Sequence, residues 1–360
     1  MNILLTNCWQ SGNTGDNGIW KNMMRKLKEK YPKCSFVVAS QKQSKWDMDQ
    51  LKEINQFEIV DLHNEIALKN ADILISPGGG YMVNEKMRKD LEFFQIAQKN
   101  NKITIFGTQT FAGELTFNTR LLAKEVLENA NLVVARENET YHYLRNYLNI
   151  TTDNIKILPD AMFNIEYKQY ISEIPVNSIK ICIRGYQTND IFLQKIAKLA
   201  DKITENIAPV VFVPIGHGED RDDRKSAKKI MSFMTKKAYF IEDRISAEEA
   251  KYIFKDGLVL TDRYHAAIFA ISMLTPIVIL EADISHKMKG LLENINYPYQ
   301  DIFNKETSLF NLYNRIENIW KRKKEIQDVL IKTVPELEIK ASLLYEYIFK
   351  CIDNEKISRY

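Results

Sequence analysis

Short apolar runs alternate with segments of helical periodicity along the whole chain. Apolar runs of this length, bounded by turn residues, are typical of strands buried on both faces of a parallel sheet. The strands predicted in the first half are residues 2–6, 35–39, 57–60, 72–76, 103–107, 132–135 and 155–158. The helices predicted between them are residues 17–30, 84–99, 115–129 and 137–147. This order predicts a mostly parallel sheet with helices on both faces.

A second series of the same kind follows residues 167–178, a segment with no clear periodicity that contains Pro175. The second-half strands are residues 179–183, 210–214, 238–241, 258–261 and 276–280, and the helices are residues 190–206, 222–234, 247–254, 266–273 and 287–293. Two long helical stretches, residues 309–324 and 326–349, close the chain. The prediction is α/β: two doubly wound Rossmann-like domains facing across a cleft (GT-B-like), with C-terminal helices. The predicted domains are residues 1–170 and 178–325, with residues 326–360 as a C-terminal helix.

Composition excludes several classes of protein. The 360 residues are 45% hydrophobic and 27% charged, as in globular proteins, and they suit two domains. The net charge of +3 gives no reason to expect a nucleic-acid partner. Four scattered cysteines without CxxC spacing fit a reducing compartment and predict neither disulfides nor a zinc site. No signal peptide or membrane-spanning run is predicted, so we expect a cytoplasmic location.

The strongest chemical signal is Arg263 with His265, which come directly after the predicted strand 258–261. Open α/β sheets bind ligands at the carboxyl ends of their strands. The first turn of the following helix adds free backbone N–H groups and a partial positive charge. Together these features predict a pocket for an anion, with a histidine that can hold or release a proton near neutral pH.

Two glycine-rich segments follow strands of the first half. Residues 12–18 include Asn13, Gly15 and Asp16, and they match neither a Rossmann nor a Walker A fingerprint. Asp16 has two compatible interpretations: the N-cap of the next helix, or a carboxylate that accepts a proton from a substrate hydroxyl. The triplet at residues 78–80, which includes Gly79 and Gly80, favours a backbone that faces a ligand over a purely structural turn.

Other strand ends carry further candidates. Gln109 either bonds a sugar hydroxyl or faces water, and Arg136 either binds an anion or pairs with Glu139 on the surface. Arg184, followed by a glycine, favours anion binding, whereas Lys287 is an anion ligand or a solvated side chain. Three more residues complete the set: Asp160 near the hinge, and His217 with Asp220, which lack the companion spacing of a metal site. We therefore predict no metal.

Taken in order, these segments resemble the polysaccharide pyruvyl transferase family. The resemblance rests on residues 12–18 with Asp16, the triplet 78–80, Gly107-x-Gln109, residues 135–137, Pro159-Asp160, Arg184, and Arg263-x-His265 followed by Thr275-Pro276. The chain departs from the family at Tyr264, where leucine is more frequent, and after Gln109, where the usual Gly-Pro ending is missing.

The resemblance implies a GT-B-like fold and transfer of pyruvate from phosphoenolpyruvate (PEP) to two hydroxyls of a sugar. The acceptor would belong to a surface polysaccharide or its lipid-linked precursor, and no cofactor would be needed. Arg184, Arg263, His265 and Lys287 would bind PEP, with His265 as general acid and Asp16 as base. The acceptor-side candidates are Asn13, Gly15, Gly79, Gly80, Gln109, Arg136 and Asp160.

Two other functions stay open: a nucleotide-sugar glycosyltransferase and a glycan-binding protein without catalysis. The basic residues 321–324 beside Trp320 are either a solvated helix face or a peripheral contact with the inner face of an anionic membrane. The acceptor sugar, the pair of hydroxyls, the ketal stereochemistry and the oligomeric state are not encoded in any recognisable motif.

Overall fold

The computed structural model describes residues 1–8, 12–40, 57–171, 173–185, 189–218, 222–280 and 286–358. The chain divides into two compact units. The first unit comprises Met1–Gln10, Asp16–Asn164 and Leu337–Tyr360, and the second comprises Ser11–Gly15 and Ile165–Glu336.

The sheet of the first unit has seven strands among the described residues, all paired in parallel, in the order β3-β2-β1-β4-β5-β6-β7. The strands are β1 (Asn2–Leu5), β2 (Ser35–Ala39), β3 (Phe57–Val60), β4 (Ile73–Val83), β5 (Ile103–Ala112), β6 (Leu132–Ala135) and β7 (Ile155–Ile157). The helices are α1 (Thr14–Lys30), α2 (Glu65–Asn70), α3 (Arg88–Lys99), α4 (Phe117–Glu128) and α5 (Asn138–His142). The strand order reverses between β1 and β4, where doubly wound sheets bind ligands.

The sheet of the second unit has six parallel strands among the described residues, in the order β10-β9-β8-β11-β12-β13. The strands are β8 (Ile179–Cys182), β9 (Val210–Phe212), β10 (Tyr239–Phe240), β11 (Leu258–Thr261), β12 (Ile277–Leu280) and β13 (Ile302–Phe303). The helices are α6 (Asp190–Asn206), α7 (Asp223–Phe233), α8 (Ala247–Ile253), α9 (Tyr264–Ser272), α10 (His286–Asn294), α11 (Leu309–Lys321) and α12 (Lys323–Ser358). The order reverses between β8 and β11, which carry Arg184 and Arg263 at their ends. The predicted fold class, two Rossmann-like α/β domains with C-terminal helices, is confirmed.

Two parts of the chain belong to a different unit from the domain in which the sequence predicts them. Helix α12 begins at Lys323, and its part from Leu337 onward belongs to the first unit, where Leu344, Ile348 and Ile352 join the core beneath the sheet. Their helical spacing was readable in the sequence, but the sheet that they cover was not. Residues 12–15, predicted within the first domain, belong to the second unit.

The glycine triplet 78–80 is strand and not loop. Strand β4 continues through it to Val83, and Gly78 and Gly79 pair with Thr108 and Gln109 of β5. Gly78 has φ of 153° and Gly79 has φ of 129°, a region that side chains disfavour. The triplet therefore lets two strands pair through a stretch of backbone that other residues would strain.

No helix among the described residues is both long enough and apolar enough to cross a membrane.

Candidate functional site

Two strand ends of the second unit are held together by one buried carboxylate. Asp223, in the first turn of α7, is 1% exposed. Its oxygens accept hydrogen bonds from the N–H groups of Gly185 and Gly216, each at 2.8 Å, and from Nε of Arg263 at 3.0 Å. A second guanidinium nitrogen, Nη2, also donates to it. These hydrogen bonds tie the loops after β8 and β9 to α7, and the same carboxylate orients the guanidinium of Arg263.

Arg263 stands immediately before α9 as its N-cap residue, and its side chain is 11% exposed. Burial opposes the charge of Arg263, but the Asp223 carboxylate raises the pKa of the guanidinium well above its usual value. Arg263 is thus a permanent, oriented cation at the start of a helix, where backbone N–H groups also favour an anion.

Arg184 follows β8 and is half-buried. Its N–H donates to Oδ1 of Asp262 at 2.9 Å, and its carbonyl accepts from Oγ of Ser226 at 2.9 Å. The ends of β8 and β11 are neighbours in the sheet, since Cys182 pairs with Thr261. The structure therefore brings Arg184 and Arg263 to adjacent strand ends; the sequence predicts a strand end for each but not that the two strands are neighbours.

His265 lies in the first turn of α9 and is 5% exposed. Its ring is 6.4 Å from that of Phe269 between centroids. Gly15 packs directly against it, so that a Cβ added at Gly15 would come within 2.1 Å of Cγ of His265. Asn13, next to Gly15, forms a β-bridge with Gly216 and accepts the N–H of Gly15 at 3.1 Å. Asn13 and Gly15, predicted on the acceptor side, therefore belong to the unit that carries the arginines.

Lys287 is half-buried in the first turn of α10, the helix that follows β12. β12 pairs with β11. Lys287 therefore follows the strand next to the one that ends at Arg263, and its role as a PEP ligand stays a prediction.

His217 is half-buried in the loop after β9, and neither ring nitrogen has a hydrogen-bond partner among the described residues. Burial, followed by the charges of Arg244 and Arg224, lowers the pKa of His217 to about 3. Its proposed companion Asp220 lies outside the described residues. In the part of the chain that the structure describes, no group of three or more His, Cys, Asp or Glu side chains is placed to hold a metal ion.

The first unit gathers a second polar cluster at the carboxyl ends of β5, β6 and β7. Arg136 is 3% exposed and donates to Oε1 of Glu137 at 2.6 Å, Oδ2 of Asp160 at 3.0 Å and Oγ1 of Thr110 at 2.6 Å. The surface pair with Glu139 is therefore wrong, because the guanidinium is directed inward. Asp160 also accepts the N–H of Met162 at 2.8 Å. Arg136 and Asp160 support the strand ends, and direct contact with an acceptor stays a prediction.

Gln109 is completely buried in β5, so the interpretation that it faces water is wrong. Its Nε2 donates to Oγ of Ser76 at 2.6 Å, and its Oε1 has no hydrogen-bond partner among the described residues. Gly79 lies close to the ring of Tyr81, since a Cβ added at Gly79 would approach Cε2 at 2.5 Å. Gly80 lies between them in β4.

Asp16 is half-buried in the first turn of α1, which begins at Thr14. The N-cap interpretation is therefore wrong, because the helix starts three residues earlier than predicted. Burial raises the pKa of the Tyr81 hydroxyl well above its usual value, and the negative charge and hydrogen bond of Asp16 raise it further. The side chains of Asp16 and Tyr81 therefore interact within the first unit.

Sequence reasoning missed two carboxylates, Asp223 and Asp262. Asp262 directly precedes Arg263 in the sequence. Asp223 is the first residue of α7 and forms an acidic pair with the N-cap residue Asp222, which is a sequence signal for the start of a helix. Nothing in the sequence shows that Asp223 and Arg263, forty positions apart, form a buried pair.

A family comparison matches residues 13–283 to the model for polysaccharide pyruvyl transferase, which spans Asn13, Arg184, Arg263 and His265. The chain belongs to the polysaccharide pyruvyl transferase family. A search of curated proteins finds no match for this family member.

Solved structures support the fold of this transferase-family chain. A glycosyltransferase from Rickettsia africae is 12% identical, with 97% of each chain covered and a TM-score of 0.61. UDP-GlcNAc 2-epimerase from Neisseria meningitidis, bound to UDP-GlcNAc, is also 12% identical, with 97% of this chain and 100% of that chain covered and a TM-score of 0.58. MurG from Acinetobacter baumannii is 10% identical, with 97% and 99% covered and a TM-score of 0.55. At such identities the likeness concerns the fold alone, which is of the GT-B type.

Proposed function

We propose that the protein transfers pyruvate from PEP to two hydroxyls of a sugar, forming a cyclic ketal and releasing phosphate. The observation that carries the proposal is the pair of arginines at the adjacent ends of β8 and β11, with His265 in the first turn of α9. PEP carries a carboxylate and a phosphate, and guanidinium groups bind both as bidentate partners.

In the proposed reaction His265 delivers a proton to the methylene carbon of PEP, so that positive charge develops at C2. One sugar hydroxyl then bonds to C2 and loses its proton to Asp16. The bond from C2 to the phosphate oxygen then breaks and phosphate leaves. The second hydroxyl bonds to C2 and closes the ring, and its proton returns to His265, while the proton held by Asp16 passes to solvent. Each proton-transfer group of this kind typically contributes ~10²–10⁴ in rate.

The acceptor is proposed to be a surface polysaccharide or its lipid-linked precursor, and the protein is proposed to act in the cytoplasm near the inner face of the membrane. The acceptor side would use the strand ends of the first unit, where Asp16 lies in the first turn of α1. A lipid-linked acceptor would make peripheral membrane contact useful, and the sequence offers residues 321–324 as one candidate for it.

Those basic residues already have partners for three of their charges. Lys321 pairs with Glu317 at 3.1 Å, and Arg322 bonds Glu325 through Nε at 2.9 Å. Lys323 donates to Asn177 and lies 4.2 Å from the ring centroid of Trp320. These contacts favour the solvated helix face over the membrane contact.

The first test is calorimetric titration of the purified protein with PEP, with UDP, GDP and CMP in parallel. We expect PEP to bind, and binding to weaken at least tenfold in Arg184→Ala and in Arg263→Ala. Arg322→Ala is the matched control, because Arg322 is an exposed arginine of the same unit whose side chain is 51% accessible. Circular dichroism and thermal melting establish that each variant is folded.

The second test is transfer itself, with PEP labelled in its three-carbon unit and a panel of glycan and lipid-linked acceptors. Label in an acid-labile ketal, with one phosphate released per ketal, is the expected result. His265→Gln should bind PEP but transfer no label. Nucleotide binding without PEP binding would refute the proposal in favour of a nucleotide-sugar glycosyltransferase.

A further inference from the structure

Asp262 is a buried carboxylate placed between the two arginines. It follows β11 directly and is 3% exposed. Its Oδ1 accepts the N–H of Arg184 at 2.9 Å, and its own N–H donates to the carbonyl of Cys182 at 3.3 Å. Asp262 thus joins the end of β11 to the end of β8, the two strand ends that present the arginines.

The second carboxylate oxygen of Asp262, unlike the first, accepts no hydrogen bond from the described residues. Oδ2 is buried and has no hydrogen-bond partner among the described residues. A buried carboxylate oxygen without a donor loses its hydration without compensation, which disfavours the ionised form. One oxygen is therefore structural, and the other is available to hold a proton.

Charged and titratable groups of several elements face Asp262. Arg184 after β8 and Arg263 before α9 favour its ionised form, whereas Asp223 of α7 disfavours it. The thiol of Cys182 in β8 is also close enough to interact with Asp262, and burial raises the pKa of that thiol well above its usual value. For Asp262 burial is the largest effect and raises its pKa to about 6, despite the two arginines.

We propose that Asp262 takes up a proton on Oδ2 when an anion of the phosphate or carboxylate class binds to Arg184 and Arg263. The charges of Arg184 and Arg263 favour the ionised form of Asp262, and a bound anion would offset those charges and place a second negative charge near the carboxylate. The proton comes from solvent and forms one O–H bond, so no other reactant is needed. The inference rests on the proposed function for its ligand, PEP, and makes Asp262 a positioning residue that tunes the arginines.

The expected pKa shift of Asp262, and with it the number of protons taken up on binding, follows from ordinary charge interactions. Like charges within a few ångströms shift a carboxyl pKa by roughly 1–3 units. A group that starts near pH 6 would then become mostly protonated at pH 7, so binding takes up about half a proton or more. Affinity should weaken by up to about tenfold per pH unit above that point, because ligand and ionised Asp262 exclude each other.

The experiment is calorimetric titration at pH 7 with PEP, inorganic phosphate and sulfate, each in buffers of different ionisation enthalpy. The dependence of the observed heat on the buffer gives the number of protons taken up. Sulfate is included because its own charge is constant near neutral pH. Asp262→Asn is the variant of choice, since its amide oxygen can still accept the N–H of Arg184 while the group carries no charge.

For the wild type we expect uptake of about half a proton or more per anion, and for Asp262→Asn uptake smaller by that amount. The variant should also bind sulfate more tightly than the wild type at pH 8. Uptake that persists in Asp262→Asn, or none in the wild type, would overturn the inference while leaving the proposed function intact. If no anion binds, both are refuted; if anions bind with Asp262-dependent uptake but no pyruvate is transferred, only the function is refuted.

A further measurement does not require that Asp262→Asn folds. In His265→Gln, which removes the imidazole in the first turn of α9, sulfate affinity should still fall between pH 6 and pH 8. A flat profile in that variant would overturn the inference.

Discussion

The contact between Gly15 and His265 makes a quantitative prediction about Gly15→Ala. Alanine is the better helix former, so helix propensity alone would stabilise the variant by up to about 1 kcal/mol in the first turn of α1. The close contact with His265 predicts instead that Gly15→Ala is less stable than the wild type. The new Cβ would lie 2.1 Å from Cγ of His265 and 2.4 Å from both its Cβ and its Nδ1.

The size of the stability loss in Gly15→Ala follows from ordinary packing distances. Carbon atoms prefer separations of roughly 3.5–4 Å, so His265 or the start of α1 must move by more than about 1 Å. His265 is 5% exposed and cannot swing into solvent. Overpacking of this kind costs ~1–3 kcal/mol, and the melting temperature should fall by roughly 2–6 °C after the propensity gain is included.

The same displacement predicts a specific kinetic change. Misplacing a catalytic group by about 1 Å can lower turnover ~10²-fold. PEP affinity should change little, because Arg184 and Arg263 are untouched. The assay is scanning calorimetry for stability, titration for PEP binding, and label transfer for turnover. A melting temperature that stays equal or rises would refute the packing argument.

A double variant provides the control for this prediction. His265→Gly removes all three atoms that the new methyl group would meet. In that background Gly15→Ala should be neutral or stabilising by up to about 1 kcal/mol, and the difference between the two backgrounds measures the clash. An equal loss of stability in both backgrounds would place the cost elsewhere in the helix.

Three further predictions test other parts of the molecule. Arg136→Leu removes the cation that pairs with the two buried carboxylates of Glu137 and Asp160 and should lose ~3–5 kcal/mol in urea unfolding, whereas Arg88→Leu, which breaks an exposed pair, should lose less than about 1 kcal/mol; equal losses would contradict the burial argument. His217 has a folded pKa lowered to about 3, so its contribution to stability is complete above about pH 6.5 and is lost as the pH falls toward 3; melting curves across this range should slope less in His217→Gln. Changing residues 321–324 to glutamine should leave co-sedimentation with anionic vesicles unchanged, and a clear loss would establish these residues as a membrane contact.

The fold was predictable because its strands are buried on both faces and its helices are amphipathic. The predicted strand 258–261 and helix 190–206 coincide with β11 and α6. The strand through residues 78–80 was not predictable, because a glycine triplet signals freedom of φ and does not specify whether the backbone extends or turns. Helix α2 and the two-residue strand β13 were missed, since such short elements depend on tertiary packing, whereas β10 falls within the predicted strand 238–241.

In the candidate site, too, some features were predictable from the sequence and others were not. Arg184, Arg263 and His265 were predictable because strand ends of a parallel sheet meet at one edge, and the sequence shows which residues follow each strand. Their partners depend on geometry that spacing cannot supply. Arg136 shows the limit: the sequence offered Glu139 as its partner, whereas the fold turns the guanidinium inward to Glu137 and Asp160.

The two carboxylates beside the arginines differ in how completely their oxygens are bonded, and this difference assigns them different roles. Asp223 accepts from three backbone N–H groups and from the guanidinium of Arg263, so it orients that arginine before any ligand arrives. Orientation in advance lowers the entropy that a ligand must overcome. Asp262 satisfies only one oxygen, through the N–H of Arg184, and so it is the carboxylate that can change its charge. We infer from this difference that Asp223 holds Arg263 in place, whereas Asp262 is the carboxylate that takes up a proton when an anion binds.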